Sequence, residues 1–77
     1  MSNLKLNLGS IDRVKNFVNI IQLFNGDFDL VSGRYTIDAK SIMGIFSLDL
    51  SKPVELAIYD ESDFEKVSKA LEDYIVK

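Results

Sequence analysis

The sequence contains no cysteine and no histidine. Without cysteine the chain has neither a disulfide framework nor a thiolate metal site, and the absence of disulfides is usual for a cytosolic protein. Without histidine it lacks the side chain that most often binds zinc and that performs acid–base or phosphoryl-transfer chemistry near neutral pH. We therefore expect no metal, no cofactor and no histidine-based chemistry, and we take the cytoplasm as the expected compartment.

Clustered positive charge and long apolar runs are also missing. The net charge of -3 disfavours nucleic-acid binding, because a phosphate-binding surface needs clustered Lys and Arg. No apolar run approaches the ~20 residues that span a bilayer, and the first ten residues lack a signal-peptide pattern, so we expect no membrane association. What is present is an ordinary globular composition, 47% apolar and 27% charged over 77 residues. It predicts one domain spanning residues 1–77.

The first half of the chain alternates between strand and helix periods. Residues 3–8 read "NLKLNL", and leucine at every second position predicts a half-buried strand. The next apolar residues recur at helical spacing, with Ser10 as the N-cap and a left-handed helix end at residues 25–26. Residues 27–38 predict a β-hairpin that turns at residues 32–33.

The second half predicts a short helix, a strand and a longer helix. The short helix lies within residues 38–53, "DAKSIMGIFSLDLSKP", and residues 52–59 form a strand that begins at the chain's one proline. Residues 61–77 form an amphipathic helix that opens with a capping box of Ser62 and Glu65. Its apolar stripe consists of Phe64, Val67, Leu71, Tyr74 and Ile75.

The predicted order is strand, helix, strand, strand, short helix, strand, helix. One sheet face has apolar alternation, and each helix has one apolar stripe. The order therefore predicts an α+β fold with three helices on one face of a four-stranded antiparallel sheet. The other face of the sheet should be solvated.

Residues 39–48, "AKSIMGIFSL", resemble the "LKSIMGVMSL" signature of HPr, the histidine-containing phosphocarrier protein of the bacterial sugar phosphotransferase system. The predicted order of elements is also that of HPr. The resemblance implies an HPr-like open-faced β-sandwich, β-α-β-β-α-β-α. It also implies a role related to the phosphotransferase system, with protein partners such as an HPr-type serine kinase or phosphotransferase-system regulators.

The residues that define a carrier are different here. HPr proteins carry the phosphoryl group on the histidine of a "GIHARPA" motif at the start of the first helix. An ungapped extension from the signature places Ser10 at the histidine position, Asp12 at the arginine position and Arg13 at the proline position. A phosphoserine ester is too stable for ready onward transfer, and the carboxylate of Asp12 would repel a phosphate. The comparison predicts an HPr-like regulatory or docking protein that is neither a histidine phosphocarrier nor an enzyme.

Ser41 matches the serine that HPr proteins of many Gram-positive bacteria present to a regulatory kinase. The resemblance makes it the candidate for regulatory phosphorylation. A helix N-terminus would stabilise an exposed phosphate by roughly 0.3–1 kcal/mol, with Lys40 as a nearby cation. Plain N-capping by the hydroxyl accounts for a serine at this position equally well, and both interpretations stay open.

Five large apolar residues crowd the short helix, more than one of its sides can bury. In HPr-like proteins the Ile-Met part of this segment belongs to the docking surface for partner proteins. We take Ile42, Met43 and Phe46 as the docking candidates, with Ile45 and Leu48 in the core; the alternative is that all five fill the core or its edge. The residues that would extend the surface across the neighbouring helix end are Ser10, Arg13 and Phe17.

A second hypothesis keeps the fold and drops the phosphotransferase-system role. In it the protein is a structural or homo-oligomeric assembly module that buries its apolar helix in a homodimer. The sequence leaves a monomer and a weak homodimer open, and the dependence of molecular mass on concentration distinguishes them.

Overall fold

The computed structural model describes residues 2–76. The strands are β1 (Ser2–Leu6), β2 (Phe28–Ser32), β3 (Tyr35–Asp38) and β4 (Val54–Ile58), and the helices are α1 (Ile11–Ile21), α2 (Ile42–Phe46) and α3 (Glu61–Ala70). One turn of 3₁₀ helix, Glu72–Tyr74, follows α3. The chain order β-α-β-β-α-β-α is the predicted one.

The four strands form one antiparallel sheet in the order β1-β4-β2-β3. Leu56 on the central strand β4 pairs with Leu4 of β1 on one side and Leu30 of β2 on the other. Because side chains alternate along a strand, these leucines share one face of the sheet, and the neighbouring pair of Glu55 and Lys5 lies on the opposite face. The predicted α+β fold, an open antiparallel sheet with three helices, is confirmed.

The core lies between the helices and the apolar face of the sheet. α1 contributes most of the helical part, and α2 and α3 each contribute one fully buried residue from within the helix. Within residues 2–76 no polar or charged residue belongs to the buried class. The buried helical residues are Val14, Phe17, Val18 and Ile21 of α1, Ile45 of α2 and Val67 of α3.

α1 ends earlier than predicted and without a left-handed residue. Gln22 closes it with φ of -68°, and the N–H groups of the next two residues donate to the carbonyls of Ile20 and Ile21. These tighter hydrogen bonds satisfy the last carbonyl groups of the helix, so no left-handed cap is needed. The predicted left-handed end at residues 25–26 is therefore wrong.

The β2–β3 hairpin turns one residue later than predicted. Ser32 pairs with Tyr35, which leaves Gly33 and Arg34 as a two-residue loop. Gly33 has φ of 60°, a value that glycine adopts without steric cost and that suits the first position of a type II′ turn.

The last helix differs from its prediction at both ends. Asp60 is the N-cap: one of its carboxylate oxygens accepts from the backbone N–H of Ser62 at 3.0 Å and from its hydroxyl at 2.7 Å. These hydrogen bonds lower the pKa of Asp60 below its ordinary value. Ser62 thus lies inside the helix, and the predicted capping box with Glu65 is wrong.

The chain leaves the helical path after α3. Beyond the 3₁₀ turn, Ile75 forms a β-bridge with Leu6, and the N–H of Val76 donates to the carbonyl of Lys5 at 2.9 Å. The α-helix therefore ends before Tyr74 and Ile75, although Tyr74 still belongs to the core and Ile75 packs against it. None of the helices within residues 2–76 is long and apolar enough to cross a membrane.

Candidate functional site

Ser41 is the N-cap of α2, as the sequence predicts. Its backbone is extended, and its hydroxyl accepts from the N–H of Gly44 at 3.3 Å. Gly44 suits this approach, since a Cβ there would lie 3.2 Å from the Ser41 hydroxyl and 3.4 Å from Cδ1 of Ile37. Ser41 is exposed to solvent. Its hydroxyl is therefore both a cap and a group that a second protein can reach.

Lys40 is directed to a different part of the structure. Its ammonium group donates to the carbonyl of Phe24, after the end of α1, at 2.7 Å and lies 5.7 Å from the centre of the Phe28 ring. Its backbone N–H donates to a carboxylate oxygen of Asp38 at 2.9 Å. The expectation that Lys40 serves as the cation for Ser41 is therefore not supported, because its charged end is engaged in joining α2 to α1.

The apolar residues of α2 divide into a buried and an exposed group. Ile45 and Leu48 are buried in the core, and Ile42 is half-buried against it. Met43 is 77% exposed and Phe46 is 38% exposed. The exposed set is smaller than predicted, because the five-residue helix turns Ile42 as well as Ile45 towards its neighbours. We call Ser41, Met43 and Phe46 the α2 surface.

The start of α1 lies near the chain that follows α2. The two helices pack against each other, and a Cβ on Gly9 would lie 3.9 Å from the carbonyl oxygen of Leu50. Ser10 is exposed, and its hydroxyl caps α1 by accepting from the N–H of Arg13 at 3.2 Å. Phe17 is completely buried, so its predicted part in a surface extension is wrong. Phe17 lies more than one helical turn beyond the exposed start of α1.

Ile11 is exposed at this helix start, and the sequence reasoning missed it. Its side chain is 61% exposed, although its spacing to Val14 and Val18 is that of a core position. Helical side chains lean towards the N-terminus, so an apolar residue at the first helical position extends past the part of the helix that the sheet covers. Its position immediately after the cap Ser10 was the signal available in the sequence.

Arg13 is held in a clasp that joins the chain before α1 to the turn after α3. Its guanidinium Nε and Nη2 both donate to the carbonyl of Asn7 at 3.1 Å, and Nη2 also donates to the carbonyl of Asp73 at 3.0 Å. The guanidinium carbon lies 4.5 Å from the centre of the Tyr74 ring, within cation–π range. The charged end of Arg13 is thus bonded to the backbone, and Arg13 does not extend the α2 surface as a free cation.

No cluster of three or more metal-binding side chains occurs within residues 2–76. The side chains at the start of α1 and on α2 are mainly hydroxyl and apolar groups, with the carboxylate of Asp12 exposed in the first turn of α1. Such groups suit contact with another protein more than chemistry on a small molecule.

Sequence comparison identifies no relative: no protein-family model and no curated protein matches the chain. Comparison with solved structures, in contrast, finds matches. HPr-C-His from Thermoanaerobacter tengcongensis matches with a TM-score of 0.77 and 25% identity over 95% of this chain and 89% of that one. The phosphocarrier protein HPr from Bacillus anthracis str. Ames matches with a TM-score of 0.73 and 23% identity over 97% of this chain and 96% of that one. The chain therefore has the fold of the HPr phosphocarrier proteins, over nearly its full length.

Proposed function

We propose that this protein is a regulatory or docking protein of the HPr type, related to the phosphotransferase system. It is a single-domain, cytoplasmic protein that acts by binding other proteins and not as an enzyme. The observation that carries the proposal is the exposed side chain of Met43 on α2 of an HPr fold whose sequence has no histidine.

The exposure and chemistry of the α2 surface support the proposed docking role. Methionine is flexible and polarisable, so it adapts to partners of different shapes, and an aromatic side chain such as Phe46 adds a large contact area. Ile45 and Leu48 fix the helix to the core. A partner therefore meets an anchored helix, and binding requires little ordering of the backbone.

The absence of histidine argues against phosphoryl relay. At the start of α1 the exposed hydroxyl is Ser10, and the phosphate ester of a serine is too stable for ready onward transfer. The nearby guanidinium of Arg13 is bonded to two backbone carbonyls, and Asp12 adds a negative charge. These groups suit a helix cap and a structural clasp.

Phosphorylation of Ser41 is the proposed means of regulation. The hydroxyl is exposed and lies two residues before Met43. A phosphate there adds a charge of about -2 beside the apolar side chains. It would impose a desolvation cost on an apolar partner and attract a partner that presents arginine. The same site would then select between two kinds of partner.

Partner capture tests the docking role. Immobilised wild-type protein, Met43→Asp and Leu23→Asp are each exposed to lysate of a bacterium that has a phosphotransferase system. Leu23 is the matched control because it is apolar, 80% exposed and located after the opposite end of α1. We expect phosphotransferase-system proteins to bind the wild type and Leu23→Asp, and to be lost with Met43→Asp. Retention of every partner by Met43→Asp would show that the surface is misassigned.

Incubation with an HPr-type serine kinase and ATP tests the regulation. We expect the mass to increase by one phosphate in the wild type and in Ser47→Ala, and not to increase in Ser41→Ala. Ser47 is the matched control, since it is also exposed and lies at the other end of the same helix. No mass gain in the wild type, or a gain that persists in Ser41→Ala, would remove the proposal.

A further inference from the structure

Asn25 and Gly26 form the only Asn-Gly pair in the sequence. Glycine has no Cβ, so it leaves the approach to its own backbone nitrogen open and restricts the local dihedral angles least. Ring closure between an asparagine side chain and the next backbone nitrogen is therefore least hindered at this pair. Each of the other asparagines is followed by a large apolar residue: Asn3, Asn7, Asn16 and Asn19.

The structure leaves both reacting groups of this pair accessible. Asn25 is exposed in the irregular segment between α1 and β2. Within residues 2–76, neither the side-chain amide of Asn25 nor the N–H of Gly26 forms a hydrogen bond. In contrast, Asn16 and Asn19 lie within α1, where the backbone is held by the hydrogen bonds of the helix. The fold thus restrains those two asparagines more than Asn25.

Packing accounts for the glycine at position 26. A Cβ there would lie 2.6 Å from Oδ2 of Asp63, in the first turn of α3. This distance is shorter than a non-bonded contact, so a side chain at position 26 would have to displace the Asp63 carboxylate. On the other side of Asn25, the carbonyl of Phe24 accepts from the ammonium of Lys40 at 2.7 Å. Asn25 therefore lies between two fixed neighbours and has no contact of this kind itself.

We propose that Asn25 is a site of spontaneous deamidation in the folded protein. The deprotonated nitrogen of Gly26 attacks the side-chain carbonyl carbon Cγ of Asn25. The new N–Cγ bond closes a five-membered succinimide ring, the Cγ–Nδ2 bond breaks, and the amide nitrogen leaves as ammonia. One water molecule then opens the ring at either of its two carbonyl groups, which produces aspartate or isoaspartate. The reaction consumes one water, releases one ammonia and requires no oxidant, metal or enzyme.

The product changes both the charge and the backbone of this segment. Either product adds one negative charge to a chain whose net charge is -3, at a position two residues before Asp27. In isoaspartate the main chain runs through the former side chain and is one methylene longer. We expect the longer backbone to shift the Phe24 carbonyl away from the Lys40 ammonium and so to weaken the link between α1 and α2.

Peptide mapping by mass spectrometry tests the site. The folded protein and a synthetic peptide of residues 21–28 are kept at physiological temperature and mildly alkaline pH, and samples digested at the start measure any conversion during digestion. We expect Asn25 of the protein to react within about tenfold of the rate in the peptide, a difference of up to about 1.4 kcal/mol in the barrier. The other asparagines should stay intact while half of Asn25 reacts. A slower rate, or faster reaction at another asparagine, would overturn the proposal.

Variants test ring closure at residue 25. Asn25→Gln keeps the amide but closes a less favourable six-membered ring, so the more acidic form should no longer appear on ion-exchange chromatography. Asn16→Gln is the matched control, because it makes the same change at an exposed position of α1 and should leave the acidic form unchanged. An acidic form that persists in Asn25→Gln would contradict the site. Urea denaturation of the isolated isoaspartate form should show a lower midpoint than that of the unmodified protein; an equal midpoint would contradict the weakened link.

Discussion

The starts of α1 and α2 have the same local design and different surroundings. Each helix begins with an exposed serine whose hydroxyl caps the N–H three residues later. At α1 the residue that donates this N–H is Arg13, whose side chain ties two distant backbone segments together. At α2 the following residues include Met43, whose side chain is exposed. The side chain that follows the first cap thus connects parts of the fold, whereas the second helix start leaves an apolar side chain in solvent, where we propose that partners dock.

The largest expected effect separates two phenylalanines that the sequence placed on one surface. Phe17 is completely buried, and Phe46 is partly exposed. We expect Phe17→Ala to lower the free energy of unfolding by about 3–5 kcal/mol through the cavity it leaves. Phe46→Ala should cost less, about 1–2 kcal/mol, because 38% of the residue is already exposed and it is not part of the buried core. Urea denaturation measures both, and equal losses would contradict the assignment of the two rings.

The next effect concerns the clasp. Arg13→Ala removes three hydrogen bonds to backbone carbonyls and the contact with Tyr74, and we expect a loss of about 2 kcal/mol. Lys15→Ala, two residues along on the exposed side of α1, should change stability by about 0.5 kcal/mol or less. Denaturant unfolding followed by circular dichroism measures the difference. A loss no greater than that of Lys15→Ala would mean that Arg13 is not structural.

The two caps should be similar to each other. Ser10→Ala and Ser41→Ala each remove one side-chain cap, and we expect each to cost about 1 kcal/mol. Replacement by aspartate, which also caps, should restore most of the loss at both positions. Thermal unfolding provides the measurement. A loss at Ser10 with none at Ser41 would show that Ser41 is kept for a reason other than capping.

The smallest effect on stability is expected at the most exposed residue of α2. Met43→Asp should change the free energy of unfolding by about 0.5 kcal/mol or less, because the side chain is mostly in solvent. Light scattering over a range of concentrations should give the same monomeric mass for the wild type and the variant. A concentration-dependent mass that disappears in Met43→Asp would instead support the assembly module.

The spacing of apolar residues was enough to predict the strands and helices of the fold. The predicted caps and ends of the helices were wrong where two local patterns competed. The capping-box pattern of Ser62 and Glu65 was present, yet Asp60 is the cap, and its carboxylate accepts from both the N–H and the hydroxyl of Ser62. The end of the last helix was missed because residues near Tyr74 gain backbone bonds to β1. Such bonds join distant parts of the chain and leave no local pattern.

The sequence predicted only those features of the candidate site that depend on neighbouring residues. The cap at Ser41 could be predicted because a serine stands immediately before the short helix. The exposure of Met43 could be predicted because this helix has more apolar residues than one side can bury. Which of those residues turns inwards depends on the angle of α2 against its neighbours, so Ile42 was placed on the surface although it packs against the core. The clasp of Arg13 joins residues 60 positions apart in the sequence, and the periodicity of α1 gives no sign of it.

The central claim is that α2, and not the start of α1, is the surface that partners recognise. NMR mapping of the ¹⁵N-labelled protein with a purified HPr-type serine kinase tests it most directly. The account predicts that amide signals broaden or shift at residues 41–46 and stay unchanged at residues 10–13, the start of α1, and at residues 22–25, after its end. Perturbation confined to residues outside α2, with residues 41–46 unchanged in the complex, would contradict it.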